Sequence, residues 1–126
     1  MMNTDRLSKL NFKRMDRKLS LEEKQEWEMI YASFRSGSVL TGTVVGNDLM
    51  KLSEQGEVLS LTIINYRVKI MIPYNEVWYD DEKSPPEHVL RSMAGSQIDY
   101  VITGIDRKEG WCTASRRKAL EIRRKS

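Results

Sequence analysis

Cysteine is almost missing from this chain. Cys112 stands alone, so neither an internal disulfide nor a cysteine-rich zinc site is available. Histidine also occurs once, at His88, which leaves no imidazole pair for a metal. Apolar runs end after a few residues, too short for a spanning helix, so no membrane partner is expected. Met1 to Ser20 carries basic residues without an apolar h-region and does not read as a secretory signal; a cytoplasmic address is the default. The seven glycines stand apart, and none builds a phosphate-cradling loop.

What is present suits one domain with an appendage. The 126 residues are 40% hydrophobic and 31% charged, a soluble globular composition. The net charge of +3 conceals a strong asymmetry: residues 1–19 sum to +4, residues 107–126 to +6, and the body between them to −7. Basic ends around an acidic body suit an anionic polymer as partner, or two solvated termini.

Hydrophobic periodicity divides the chain at Gly37. The stretch Met1 to Leu19 scatters Leu7, Leu10, Phe12 and Met15 among six cations and reads as a flexible basic arm. Ser20-Leu21-Glu22-Glu23 is a capping box that opens a helix over 20–35. Trp27, Ile30, Tyr31 and Phe34 share one face of it, either packed on the domain or offered to a protein partner. Beyond Gly37 the period is two. A β-branched run over Val39–Val45 closes at Gly46-Asn47-Asp48, and Leu49 to Gly56 is an ambiguous connector. Val58 to Ile64 alternates, with Leu59, Leu61 and Ile63 inside and Ser60 and Thr62 outside. Asn65-Tyr66-Arg67 is a turn, and Val68, Ile70 and Ile72 continue the inner face on a third strand that Pro73 halts. After the polar loop Asp80 to Pro86 a short helix runs to Ala94, followed by strands over 98–103 and 111–115 joined at Arg107-Lys108-Glu109-Gly110. A short basic helix closes the chain. The expected class is all-β: a five-stranded antiparallel OB-fold barrel over about 37–115, with a helix between strands three and four and another in front. An SH3-like barrel lacks the helix at that position.

Four segments resemble one family. Gly37-Ser38-Val39-Leu40-Thr41-Gly42-Thr43-Val44 is similar to the Gly-x-Val-x-x-Gly-x-Val strand that opens the S-one-type RNA-binding domain, named for the large ribosomal protein that repeats it. Ile72-Pro73-Tyr74-Asn75-Glu76-Val77 resembles the end of that family's third strand, and Gly95 to Asp106 its fourth. Ala114-Ser115-Arg116-Arg117-Lys118-Ala119 resembles its closing Leu-Ser-x-Arg-x-Ala. The likeness covers about residues 36–122, leaving 1–19 as the arm, 20–35 as the helix and 123–126 as a basic tail. One departure is plain: where the family usually carries Phe-Gly-x-Phe, this chain has Leu49-Met50-Lys51-Leu52.

The resemblance implies RNA binding, to single-stranded or structured RNA with single-stranded DNA as a second ligand, without catalysis or cofactor. Base stacking needs π-faces and phosphates need cations. Tyr66, Tyr74 and an outward Trp111 are the replacement aromatics, and Arg67 and Lys69 alternate outward on strand three. Arg107, Lys108, Arg116, Arg117, Lys118, Arg123, Arg124 and Lys125 form the densest basic set and suit phosphate or base planes. The resemblance makes Asp106 a loop anchor or a contact to a ribose or base edge. Asp80-Asp81-Glu82 lacks the spacing of a calcium loop, and Cys112 at an inward position is a core thiol. The alternative is a protein-interaction module using Trp27, Ile30, Tyr31 and Phe34.

Overall fold

The change of period at Gly37 is where a helix gives way to a closed sheet. The computed structural model describes residues 21–52, 56–65, 68–78 and 84–125; the basic arm 1–19, Ser20, Tyr66, Arg67 and the acidic run Asp80-Asp81-Glu82 lie outside them. Helix α1, described over 21–36, ends where the Gly37 N–H donates to the Ser33 carbonyl at 2.8 Å. Strand β1 (Leu40–Leu52) is followed by β2 (Gly56–Asn65), β3 (Val68–Pro73) and a single 3-10 turn over Tyr74–Glu76. Helix α2 (Glu87–Ser92), strands β4 (Gln97–Asp106) and β5 (Trp111–Ser115), and helix α3 (Arg116–Lys125) complete the order.

The five strands close into a ring in the order β1-β2-β3-β5-β4. The expectation of an all-β, antiparallel OB-fold barrel is corrected on both counts. Residues Lys69, Ile70 and Met71 pair with Trp111, Cys112 and Thr113 in parallel, so the sheet is mixed. Parity requires this, because strand direction cannot alternate all the way round a ring with an odd number of members. Among the described residues three helices accompany the sheet, and α1 and α3 bury side chains against it, so the class is mixed as well.

Beta-branched residues on β2 and β3 drive the interior. Leu61, Ile63, Val68, Ile70 and Ile72 are buried with Tyr100, Ile102 and Cys112 in one core, and Val77 and Leu90 join it from the segments after β3. Gly42 is required by close packing: a Cβ there would lie 3.0 Å from Ile63 Cγ2 and 3.3 Å from Tyr100 Cε1. Strand β1 does not stop at Gly46-Asn47-Asp48. A bulge between Val44 and Gly46 re-aims it, and pairing with β2 continues to Leu52 opposite Gly56. The connector expected at Leu49 to Gly56 is therefore the far end of a long hairpin.

The helix buries a seam different from its aromatic stripe. Trp27 and Ile30 are buried as the periodicity predicts, yet Tyr31 is half-exposed and Phe34 is 48% exposed. In their place Glu26 and Ser33 turn inward, each with a partner. Asn65 Nδ2 donates to Glu26 Oε1 at 3.1 Å. Ser33 Oγ donates to the Ser38 carbonyl at 2.7 Å and accepts the Ile102 N–H at 3.0 Å. The β1–β4 ladder ends at Leu40 opposite Tyr100; two residues farther along each strand, Ser38 and Ile102 are joined instead through the helix hydroxyl.

Candidate functional site

On β3 the inward Val68, Ile70 and Ile72 leave Lys69 and Met71 on the outer face. On β5 the inward Cys112 and Ala114 send Trp111 and Thr113 to the same side. Parallel register sets Lys69 beside Trp111, and the antiparallel ladder sets Trp111 beside Asp106. Lys69, Trp111 and Asp106 thus come together, with Trp111 partly exposed. Ile64, opposite Lys69 on β2, is 53% exposed and extends the apolar surface.

Two residues that the sequence did not mark complete this face. Lys69 Nζ forms an ion pair with Asp48 of β1. That ammonium, with the Leu49 N–H at 2.8 Å, holds the Asp48 carboxyl below the usual carboxylate range. In the ladders Lys69 shares a row with Ile64 and Asp48 with Ser60, so the bridge passes over the intervening row at Thr62. Thr62 is 5% exposed though its place in the alternation is outward, and its hydroxyl has no hydrogen-bond partner. Ser60, also expected outside, is buried and donates to the Asp48 carbonyl at 2.9 Å. The signal available for Thr62 was its outward alternation; Asp48 was hidden inside a stretch read as a strand end.

The turn from β4 to β5 is built by Asp106, whose Oδ1 accepts the Glu109 N–H at 3.0 Å and whose carbonyl accepts the Gly110 N–H at 2.9 Å. Gly110 has φ +76°, a conformation that only glycine adopts without strain. Arg107 folds back so that its guanidinium lies 5.1 Å from the Trp27 ring and 5.9 Å from Tyr31. Lys24, Arg107 and Lys108 with Glu23 and Glu109 line an open cleft of about 530 Å³ between this turn and α1.

The remaining basic residues do not join the face. Ser115 caps α3, its hydroxyl accepting the Lys118 N–H at 3.0 Å. Arg116 donates to the Val77 carbonyl at 2.8 Å, and Arg117 to the Asn75 carbonyl at 3.3 Å and to Glu76 Oε2 at 2.7 Å. Glu76 also accepts the Ser115 hydroxyl at 3.1 Å. Arg123 reaches Asp99 at 2.5 Å. Much of the basic tail is thus tied to acids and carbonyls of the body, while Lys118 is exposed. Tyr74 is half-buried against the core, beyond the end of β3 and roughly 16 Å along the chain from Lys69. Tyr66 and Arg67 lie outside the described residues.

Among the described residues no three of histidine, cysteine, aspartate and glutamate gather as a metal would require. His88 is exposed on α2, and burial pushes the Cys112 thiol up to about 12. No helix among these residues is long and apolar enough to cross a membrane. No protein-family model matches the chain, and no curated protein matches it.

Proposed function

We propose that this protein binds RNA without catalysis, taking a single-stranded segment on the outer face of β3 and β5. Trp111 supplies the plane on which a base stacks, and Lys69 beside it supplies the cation for the adjoining phosphate. The observation that carries the reading is their register: a partly exposed indole and an ammonium as neighbours on one sheet face. The likeness of four chain segments to the S-one-type domain supports it independently. Exposed cations at Lys108 and Lys118 add attraction at longer range.

The test is a fluorescence titration with a mixed-sequence single-stranded RNA, and with the matching DNA, at several salt concentrations. Affinity should fall with salt by a slope of ~0.7 for each phosphate neutralised. Stacking on an aromatic is worth ~1–3 kcal/mol by alanine substitution, so Trp111→Ala should weaken binding ~5- to 150-fold. A wild-type protein that ignores RNA at low salt, or a folded Trp111→Ala variant of undiminished affinity, refutes the assignment.

The protein-interaction alternative keeps only part of its surface. Trp27 and Ile30 are buried, whereas Phe34 at 48% and Ile122 at 41% exposure flank a groove between α1 and α3. Capture of one defined protein after nuclease treatment, lost in Phe34→Ala, would favour that reading.

A further inference from the structure

The geometry points to Asp48 as an internal competitor for RNA phosphate, latching Lys69 over the hydroxyl of Thr62, which with Lys69 forms the seat for one phosphodiester. This rests on the RNA reading above and adds which groups take the phosphate and what they must first release.

Three observations meet here. Lys69, the cation beside Trp111, is already committed to a carboxylate, and both side chains of that pair remain partly exposed at 38% and 45%. An exposed ion pair of this kind is weak and exchanges its partner readily. Thr62 stands on the outward row between those of Asp48 and Lys69, 5% exposed, with a hydroxyl that bonds nothing. Leaving a buried hydroxyl unpaired is costly, and a satisfied core avoids it. The cost is removed when Lys69 swings from Asp48 to an incoming phosphate. The lysine stem then uncovers Thr62, whose O–H donates to a phosphate oxygen, and the indole of Trp111, the register partner of Lys69, stands ready for the base. The carboxylate of Asp48 mimics the ligand's charge while the site is empty. Because Asp48 also repels phosphate directly, the latch sets a threshold: a polyanion must outcompete it, and isolated small anions do so poorly.

Asp48→Asn preserves shape and the acceptor for the Leu49 N–H while abolishing the charge. Measured by anisotropy against a labelled mixed-sequence single-stranded RNA, it should tighten binding ~2- to 5-fold, the equivalent of a surface ion pair. It should also steepen the salt slope by up to ~0.7, because one more cation is unpaired before binding. Thr62→Val removes the orphaned hydroxyl at constant shape. It should weaken RNA binding by about 2- to 12-fold, the worth of one hydrogen bond, while thermal stability stays equal or rises. A hydroxyl with a purely structural role leaves RNA binding unchanged and lowers thermal stability on removal. RNA binding by wild type with affinity and slope unchanged in Asp48→Asn overturns the latch and leaves the RNA site standing. Absence of binding in both proteins overturns the RNA reading and the latch together.

Discussion

Replacing Ser33 with alanine tests whether its hydroxyl ties α1 to the sheet. The serine is fully buried, and its hydroxyl bridges the Ser38 carbonyl at 2.7 Å and the Ile102 N–H at 3.0 Å. Alanine there leaves Ile102, which is 2% exposed, with an amide aimed at a methyl group. A buried donor without an acceptor costs about 1–3 kcal/mol. Ser38 is exposed, so its carbonyl regains water and adds little. For a domain of this size the melting temperature should fall by ~4–12 °C. Urea denaturation followed by circular dichroism should show a lower midpoint at an unchanged slope, and the Ile102 amide should lose protection from hydrogen exchange. Ser36→Ala is the matched control. Its hydroxyl is exposed and donates to Ala32 within the helix at 2.6 Å, so the change should stay within ~0.5 kcal/mol. A Ser33→Ala protein as stable as that control would refute the splice.

Arg117→Ala should destabilise the protein by about 1–2 kcal/mol, because Glu76, 23% exposed, loses its guanidinium; a folded-state midpoint equal to wild type in urea would sink this. The same result means that a triple Arg116, Arg117, Lys118 alanine variant reports on folding as well as on RNA, and its affinity should be read only beside its melting curve. Burial raises the Cys112 thiol from 9.0 to about 12, with Glu26 adding to the effect. The fold therefore favours the protonated thiol, a contribution that is whole below pH 9.0 and is lost as pH rises toward about 12. Wild type should lose more stability between pH 8 and pH ~10.5 than Cys112→Ala does, and parallel losses in the two would contradict the assignment.

Local order was largely legible in the sequence, and long-range consequence was not. The period-two runs gave β3 and β5 nearly to the residue, and Arg107 to Gly110 is the turn its composition announces. Glu26 and Ser33 escaped notice because periodicity counts apolar residues, and a polar residue in a buried seam is recognised only by its distant partner. Thr62 obeyed the alternation and was still buried, on the row between the ion-paired Lys69 and Asp48 of the flanking strands. The basic run at 116–118 looked solvated for the same reason: Glu76 and the Val77 carbonyl, which hold it, are remote in the chain. Mixed pairing followed from ring closure, which no single segment encodes.

That ring has a consequence for the order of events in folding. Three of its five seams join consecutive strands, and each can zip from a nearby turn. The other two join distant segments: Thr41 meets Asp99 across 58 residues, and Lys69 to Met71 meet Trp111 to Thr113 only after β4 is in place. Loop-closure entropy must be overcome before these contacts give anything back, so the β1–β4 and β3–β5 seams should form late and limit the rate, in the millisecond-to-second range of non-local β topologies. A chain emerging in order exposes a three-stranded meander with two open edges until β4 and β5 arrive. The residues proposed to meet RNA, Lys69 and Trp111, sit on the last seam to close, so a functional face exists only in chains whose ring is complete.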